Sequence, residues 1–181
     1  MYRAFSSHRL KTVGHLRVNC PFGQLELTAS PDGLVAVLPL WQNLPDRWAS
    51  NSPETSCPQF EAIKQHLSNA KAELAAYFRG ELTQFTTPVD LFGTDFQKQV
   101  WRQLQQIGYG QSCSYQAIAD AVGRPKAVRA VGTANGANPL AIVVPCHRVI
   151  GKNGKLTGYA YGLEMKQYLL DMEQKRSAAL S

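Results

Sequence analysis

The residues of this chain with the most chemistry in them stand together at Pro145-Cys146-His147-Arg148-Val149. The thiolate, not the thiol, is the nucleophile, and a neighbouring imidazole or cation is what makes it available near neutral pH. A cysteine with proline before it and histidine directly after it is therefore a position built for a thiolate. The pentapeptide follows the apolar run Ala141-Ile142-Val143-Val144 and precedes a tight turn at Asn153-Gly154. On these residues alone Cys146 is either an activated nucleophile or a buried structural thiol, and the surrounding elements must decide.

At 181 residues the chain can hold one domain or two small ones with a real core. A hydrophobic fraction of 44% with 18% charged residues is ordinary for a globular protein. No apolar stretch approaches the roughly 18 residues of a membrane span, and residues 1–18 lack the long apolar centre of a signal peptide. Cys20, Cys57, Cys113 and Cys146 are widely spaced, with no CxxC pair, so reduced thiols in a cytoplasm are expected. The net charge of +6 is unevenly placed: residues 1–90 carry eight basic and eight acidic groups, and residues 91–181 carry eleven and five. That asymmetry suits a polyanion-binding half joined to a neutral partner, with a solvated basic surface as the plain alternative.

The first half reads as a small sheet plus a helix. Leu25-Glu26-Leu27 alternates, Pro31-Asp32-Gly33 turns, and Leu34 to Leu40 returns apolar, a hairpin pattern. Residues 46–58, rich in Ser and Pro, read as an irregular loop. Ile63, Leu67, Ala70, Leu74 and Tyr77 then recur at helical period until Gly80. Residues 82–92 form the connection, broken at Thr87-Pro88.

The second half reads helical. Thr94-x-x-Gln97 is a capping box leading into Phe96, Val100, Trp101 and Leu104 on one face. After the turn at Gly108-Tyr109-Gly110, residues 114–122 predict a short helix closed by Gly123, and Arg124-Pro125 opens another from Lys126 to about Asn135. Two short helices joined by a tight glycine turn describe a helix-turn-helix, or else an ordinary helical hairpin. The second helix carries Lys126, Ala127, Arg129, Ala130 and Gly132, mainly small side chains and one central arginine. It lacks the side chains that read base edges in the major groove. Small residues permit close approach to a narrow groove and an arginine can enter the base stack, which suits sequence-independent minor-groove binding. Leu163, Met165–Lys166, Leu169–Leu170 and Met172 predict a terminal helix over 162–174.

The run Arg129-Ala-Val-Gly-Thr-Ala-Asn-Gly-Ala-Asn138-Pro139, then Ile142-Val-Val-Pro-Cys146-His-Arg-Val149-Ile-Gly and Thr157-Gly-Tyr-Ala160, resembles the O6-alkylguanine-DNA alkyltransferases, also called methylated-DNA–protein-cysteine methyltransferases. The resemblance spans residues 93–173 with the motifs in order; in the first half only Pro21-Phe-Gly23-Gln-Leu25 resembles the family's first hairpin. It implies an α/β chain. A ribonuclease-H-like domain of small sheet plus helix (residues 1–90) precedes a mostly helical, winged-helix-like domain with a helix-turn-helix (residues 91–181). It further implies DNA repair by direct reversal, as a monomer on double-stranded alkylated DNA. A guanine carrying an O6-alkyl group is flipped out of the stack and the alkyl group passes to the protein's own cysteine in a single, irreversible turnover, with O4-alkylthymine as a possible second substrate.

By this resemblance Cys146 is the alkyl acceptor, His147 the general base through a water, and Glu173 the carboxylate that orients the imidazole. Tyr115 bonds the flipped base, helps protonate the leaving guanine and crowds the backbone phosphate. Arg129 fills the gap in the duplex, and Asn138 braces the turn between the recognition helix and the active-site strand. The carbonyls of Cys146 and Val149 and the amide of Ala160 read the guanine edge, with Tyr159 and Tyr161 beside them. Cys146 argues against the non-reactive branch that only binds damage, and a helix-turn-helix regulator remains the other alternative.

Two departures from the family pattern stand out. Where many members have two glycines after the Tyr-Ala pair, this chain has Tyr161-Gly162, so the space for bulky adducts should shrink. The positions that hold a structural zinc in some members are Ser30 and Val35 here, and His8, His15, His66 and Cys20 lack ligand spacing. No metal and no cofactor are expected.

Overall fold

The computed structural model describes residues 13–40 and 58–180. The predicted loop over 46–58 lies almost wholly outside them, as do His8 and Cys57. Two units divide the chain, residues 1–92 and 93–181.

In the first unit three strands, β1 (Gly14–Cys20), β2 (Gly23–Ser30) and β3 (Gly33–Pro39), form an antiparallel meander in the order β1-β2-β3. Strand β1 precedes the alternating pattern, which begins at Leu25, and has only Leu16 and Val18 to mark a face; the hairpin at Pro21–Leu25, given by the resemblance, is the turn that joins it to β2. The helix α1 (Pro58–Arg79) lies against the sheet. Its buried Ile63, Leu67, Ala70, Leu74 and Tyr77 meet a sheet core that includes Val18, Leu25, Leu27 and Ala29. Gly14 lets β1 approach closely, since a Cβ there would come within 2.6 Å of Ile63 Cγ2. The connection after α1 is held in two ways. Leu34 N donates to Pro88 O and Asp90 N to Leu34 O, a parallel bridge of Leu34 with Val89. Glu73 also accepts from the amides and hydroxyls of both Thr86 and Thr87. Ser30 Oγ donates to Asp90 Oδ2 at 2.7 Å, a structural use of that position.

In the second unit α2 (Asp95–Leu104) starts at the predicted capping box: Gln97 N donates to Thr94 Oγ1 and Thr94 N to Gln97 Oε1. Trp101 is buried and its indole N–H donates to Ala134 O at 2.8 Å, tying α2 to α4 (Val128–Gly136). Between them run β4 (Cys113–Ser114) and α3 (Tyr115–Ala121), whose N-cap is Ser114. Gly123 at φ 70° closes α3. The helix-turn-helix therefore stands, with one correction. The second helix begins at Val128, not Lys126: residues 124–127 form a turn closed by Ala127 N on Arg124 O, and Ala127 becomes an N-cap without a side-chain cap. Pro125 inside that turn has no amide hydrogen to donate, and Lys126 stays outside the helix.

A second correction concerns the run Ala141–Val144. It is a chain of turns rather than a strand, with Val143 N on Ala141 O, Val144 N on Leu140 O and Ile142 at φ 70°. A 3₁₀ turn at Cys146–Arg148 follows, then the short strand β5 (Val149–Ile150), paired parallel to β4 in the register Cys113↔Val149 and Ser114↔Ile150. Residues 151–155 make the predicted turn around Asn153-Gly154. The last helix, α5 (Leu163–Leu180), runs beyond the predicted end at 174, and Leu163 is exposed rather than on its buried face.

Candidate active site

Helix α5 and the 3₁₀ turn bring the distant members of the site together. Cys146, His147 and Arg148 leave the turn in succession, and Glu173 projects from α5; all four are buried. His147 Nε2 lies 2.9 Å from Glu173 Oε1. Arg148 grips the same carboxylate through Nε to Oε2 at 2.8 Å and Nη2 to Oε1 at 3.0 Å, while its Nη1 donates to Ile107 O. Gly110 N completes the set by donating to Glu173 Oε2. Glu173 is thus a fully buried carboxylate whose pKa is held down to about 2 by donors from His147 and Arg148, against a desolvation that alone would raise it. Burial pushes His147 below its ordinary value despite Glu173. A neutral imidazole donates from Nε2 to Glu173 and leaves Nδ1 as an acceptor. That Nδ1 is buried and meets no hydrogen-bond partner among the described residues.

Burial gives this network a pH signature with a definite sign. The unfolded chain takes a proton on His147 near 6.5 that the folded protein refuses. It takes one on Glu173 near 4.5 that the folded protein accepts only near 2. Both contributions to stability are present at neutral pH and are lost as pH falls, His147 first and Glu173 below it. The expected result is a urea midpoint that declines from about pH 6.5 downward, and a His147→Gln variant with a shallower slope between pH 5 and 6.5. An unaltered slope in the variant would contradict the assignment.

The thiol itself is corrected by the structure. Burial pushes Cys146 up, not down, because a desolvated sulfur resists charge. The charge-favouring contacts come from Asn138, Tyr159 and Lys166, and not from the imidazole next to it in sequence. Cys146 is therefore a protonated thiol at rest. Asn138 reaches it directly, with Nδ2 3.0 Å from Sγ and 2.9 Å from Val144 O, while Leu140 N donates to Asn138 Oδ1. The turn braced by Asn138 is the one that contains Ile142, not a strand.

Tyr115 packs its ring over the α4 backbone, 3.9 Å from where a Cβ on Gly132 would sit, and its hydroxyl donates to Thr157 O. Desolvation keeps that hydroxyl protonated above its ordinary value. Lys126, Arg129 and Ala130 are exposed, with Ala127 and Gly132 half-exposed. Tyr161 is buried: its hydroxyl donates to Asn138 O and its ring stands edge-on to Tyr159 at 5.4 Å. Val149 is buried and Ala160 half-buried.

Three further residues belong to the site without having been assigned a role from sequence. Arg148 was visible in the motif but carried no chemistry there. Lys166 is fully buried and donates to Val149 O at 2.7 Å and Thr157 O at 3.2 Å. Asn135 Nδ2 donates to Cys146 O. The only signal for Lys166 was its place on the apolar face of α5, seven residues before Glu173. Among the described residues no group of three His, Cys, Asp or Glu side chains is placed to hold a metal ion, and no helix is long and apolar enough to cross a membrane.

Comparison with known proteins gives this geometry a family. Residues 95–175 match the DNA-binding domain of 6-O-methylguanine DNA methyltransferase, and residues 16–91 match its ribonuclease-like domain. A methylated-DNA–protein-cysteine methyltransferase of Mycolicibacterium paratuberculosis is 49% identical over 153 residues, covering 83% of this chain and 92% of that protein. The crystal structure of Mycobacterium tuberculosis O6-methylguanine methyltransferase superposes with a TM-score of 0.77 at 45% identity, covering 91% of this chain and 94% of that one. The same organism's OGT in complex with DNA superposes with a TM-score of 0.75 at 45% identity, covering 90% and 93%. With both of its halves matched in order, the chain belongs to the methylated-DNA–protein-cysteine methyltransferase family.

Proposed function

We propose that this protein repairs alkylated DNA by taking the methyl group of an O6-methylguanine, rotated out of a duplex, onto Cys146 and keeping it. The observation that carries the reading is the buried set in which Asn138 donates to Cys146 Sγ while Glu173 fixes the ring of His147 with Nδ1 left to accept. The step is an in-line displacement at carbon. The S–C bond forms as the C–O6 bond breaks, the electron pair leaves with guanine, and the thiol proton passes through a water to His147 Nδ1. Glu173 stays ionised and stabilises the imidazolium that results. Because Cys146 rests as a thiol, its proton departs only as the reaction proceeds, and Asn138 Nδ2 then stabilises the charge growing on sulfur. Tyr115, protonated and half-exposed, supplies the proton for the leaving base.

The DNA surface of the proposal is the exposed edge of α4 and the turn before it. Ala127, Ala130 and Gly132 allow close approach in the minor groove, Lys126 meets phosphate, and Arg129 occupies the gap left by the rotated base. The binding is sequence-independent, on double-stranded DNA, by a monomer. O4-alkylthymine falls within the same chemistry, since its alkoxy carbon can be offered to the sulfur in the same way. A thioether does not hydrolyse under these conditions, so each molecule acts once.

The deciding experiment is incubation with duplex DNA bearing one O6-methylguanine, followed by intact and peptide mass spectrometry. One added methyl on the peptide holding Cys146 supports the reading; unmodified protein with bound DNA would favour a damage-binding role instead. Tyr161→Gly is expected to raise the benzylguanine rate relative to methylguanine while lowering stability by about 3 kcal/mol or more, the usual cost of emptying an aromatic site. Tyr161→Phe, which loses only the hydroxyl bonded to Asn138 O, should leave the benzyl-to-methyl ratio alone. Equal ratios in wild type and Tyr161→Gly would remove Tyr161 from specificity.

A further inference from the structure

Asn135 lies near the end of α4, directly after Ala134, whose carbonyl receives the Trp101 indole N–H. Its side chain is buried, only 4% exposed, and Nδ2 donates to Cys146 O at 3.3 Å. A carbonyl oxygen has no proton to give, so the amide has one orientation here and Oδ1 is the atom left over. That oxygen is buried and meets no donor among the described residues. His147 Nδ1 is in the same condition. The ring hydrogen sits on Nε2, where the ionised Glu173 receives it, so Nδ1 is also an acceptor. Both unpaired acceptors are tied to one peptide unit. Oδ1 shares a carbon with the nitrogen that touches Cys146 O, and His147 carries the nitrogen of that same peptide bond. Buried acceptors are rarely left without a donor. The amides of the turn are already committed: Cys146 N donates to Val144 O, Arg148 N to Pro145 O and Val149 N to Cys146 O. A molecule with two hydrogens serves two acceptors at once, and water is the one that buried polar groups recruit.

We infer that Asn135 Oδ1 and His147 Nδ1 together hold one buried water beside Cys146, and that Asn135 is the positioning residue that sets the direction in which this water passes a proton. The inference rests on the proposed function, in which the thiol proton reaches His147 through a water. A water bound to Nδ1 alone turns about that hydrogen bond and can aim its second hydrogen at the sulfur. It then offers a hydrogen where the thiol needs a lone pair. Asn135 Oδ1 takes that second hydrogen, so a lone pair is what remains for the thiol. Asn138 Nδ2 already donates to Sγ at 3.0 Å, so the sulfur has its donor and its own hydrogen is left for the water. In the transfer the S–H bond and one water O–H bond break. A new O–H bond and the Nδ1–H bond form, leaving a thiolate, an imidazolium and an intact water. The two asparagines thus have separate tasks, Asn138 on the charge of the sulfur and Asn135 on the path of its proton.

Two measurements test this. A crystal structure of the wild type, at a resolution that places waters, should show one ordered water within about 3.2 Å of both Asn135 Oδ1 and His147 Nδ1. The second is methyl transfer from duplex O6-methylguanine, followed by mass spectrometry in wild type, Asn135→Leu, His147→Gln and the double variant. Leucine keeps the volume and loses the amide. In the wild-type background it should slow transfer about tenfold, a small part of what positioned acid–base groups supply. In the His147→Gln background the water has lost its proton acceptor, so the same change should alter the rate less than twofold. A merely structural asparagine would slow both backgrounds by the same factor. Should Asn135→Leu not fold, Asn135→Ser carries the same comparison. Equal factors in the two backgrounds, or a water that touches His147 without Asn135, would overturn the inference. Absence of transfer to the wild type would instead overturn the proposed function.

Discussion

Replacing Glu173 with alanine is expected to be the most destabilising single change in the C-terminal half of the chain. The carboxylate is the one acceptor for four donors: His147 Nε2, Arg148 Nε and Nη2, and Gly110 N. Alanine leaves a buried guanidinium without its counter-ion and an imidazole without its orienter. Breaking a buried pair from one side costs about 3–5 kcal/mol, because the remaining charge has lost its hydration and gained nothing. For a chain of this size that corresponds to a fall in melting temperature on the order of 10 °C. Glu173→Gln retains the shape and a carbonyl oxygen, and should lose less stability. Activity should drop in both, since neither can hold an imidazolium. Thermal unfolding of the three proteins at pH 7.5 checks the order. A Glu173→Ala protein within 1 kcal/mol of wild type would show that the network carries little energy. The pH dependence of stability should also flatten between pH 4.5 and 2 in either variant, because the depressed carboxyl is gone.

Asn138→Ala is the second large effect, and it separates stability from chemistry. Its amide satisfies Leu140 N, Leu140 O and Val144 O, and it donates to Cys146 Sγ, all within the buried turn that holds Ile142 at φ 70°. A β-branched residue in that region is strained by roughly 1–2 kcal/mol, and the asparagine is what over-determines the turn. Removing it leaves several buried backbone groups unsatisfied, at about 1–3 kcal/mol each before relaxation. The expected loss is about 2–4 kcal/mol in urea unfolding. The methyl-transfer rate should fall about a hundredfold or more, the range seen when one preorganised donor to a developing negative charge is deleted. Iodoacetamide should likewise alkylate Cys146 more slowly at a given pH, because the thiolate has lost a donor. A slow repair rate with unaltered thiol reactivity would place the role of Asn138 in the turn alone.

How much of this was legible beforehand follows from what each feature depends on. Local patterns carried well. The capping box at Thr94 and Gln97, the hairpin turn before Gly33 and the glycine closing α3 are each decided within four residues, and the chain obeys them. Val128 was misplaced because a turn of residues 124–127 and the first turn of a helix share the same small, basic composition. The run Ala141–Val144 was misread because a short apolar stretch does not distinguish a strand from buried turns. Asn138, which sets the turns, stands outside the run. Cys146 was expected as a thiolate from its neighbour in sequence. Adjacency along the chain does not fix which atoms meet, and burial outweighs the donors that reach the sulfur. Lys166 and Arg148 were unreadable for the same reason: their partners are backbone carbonyls and a carboxylate far along the chain, visible only once α5 is packed.

The pairing of β4 with β5 is only two residues long, but it sets a gauge for the whole site. Tyr115 begins immediately after β4 and Val149 opens β5, so two ladder pairs, Cys113↔Val149 and Ser114↔Ile150, fix the span between the tyrosine and the cysteine turn through backbone alone. Side chains at 113 and 150 can therefore vary without changing that span. A single residue inserted or deleted between Gly110 and Tyr115 would shift that span by one strand step of about 3.3 Å, nearly the thickness of a purine ring. Variation in this protein's tolerance of substrates should accordingly accumulate in the side chains that face the pocket, while the length of this short connection stays fixed.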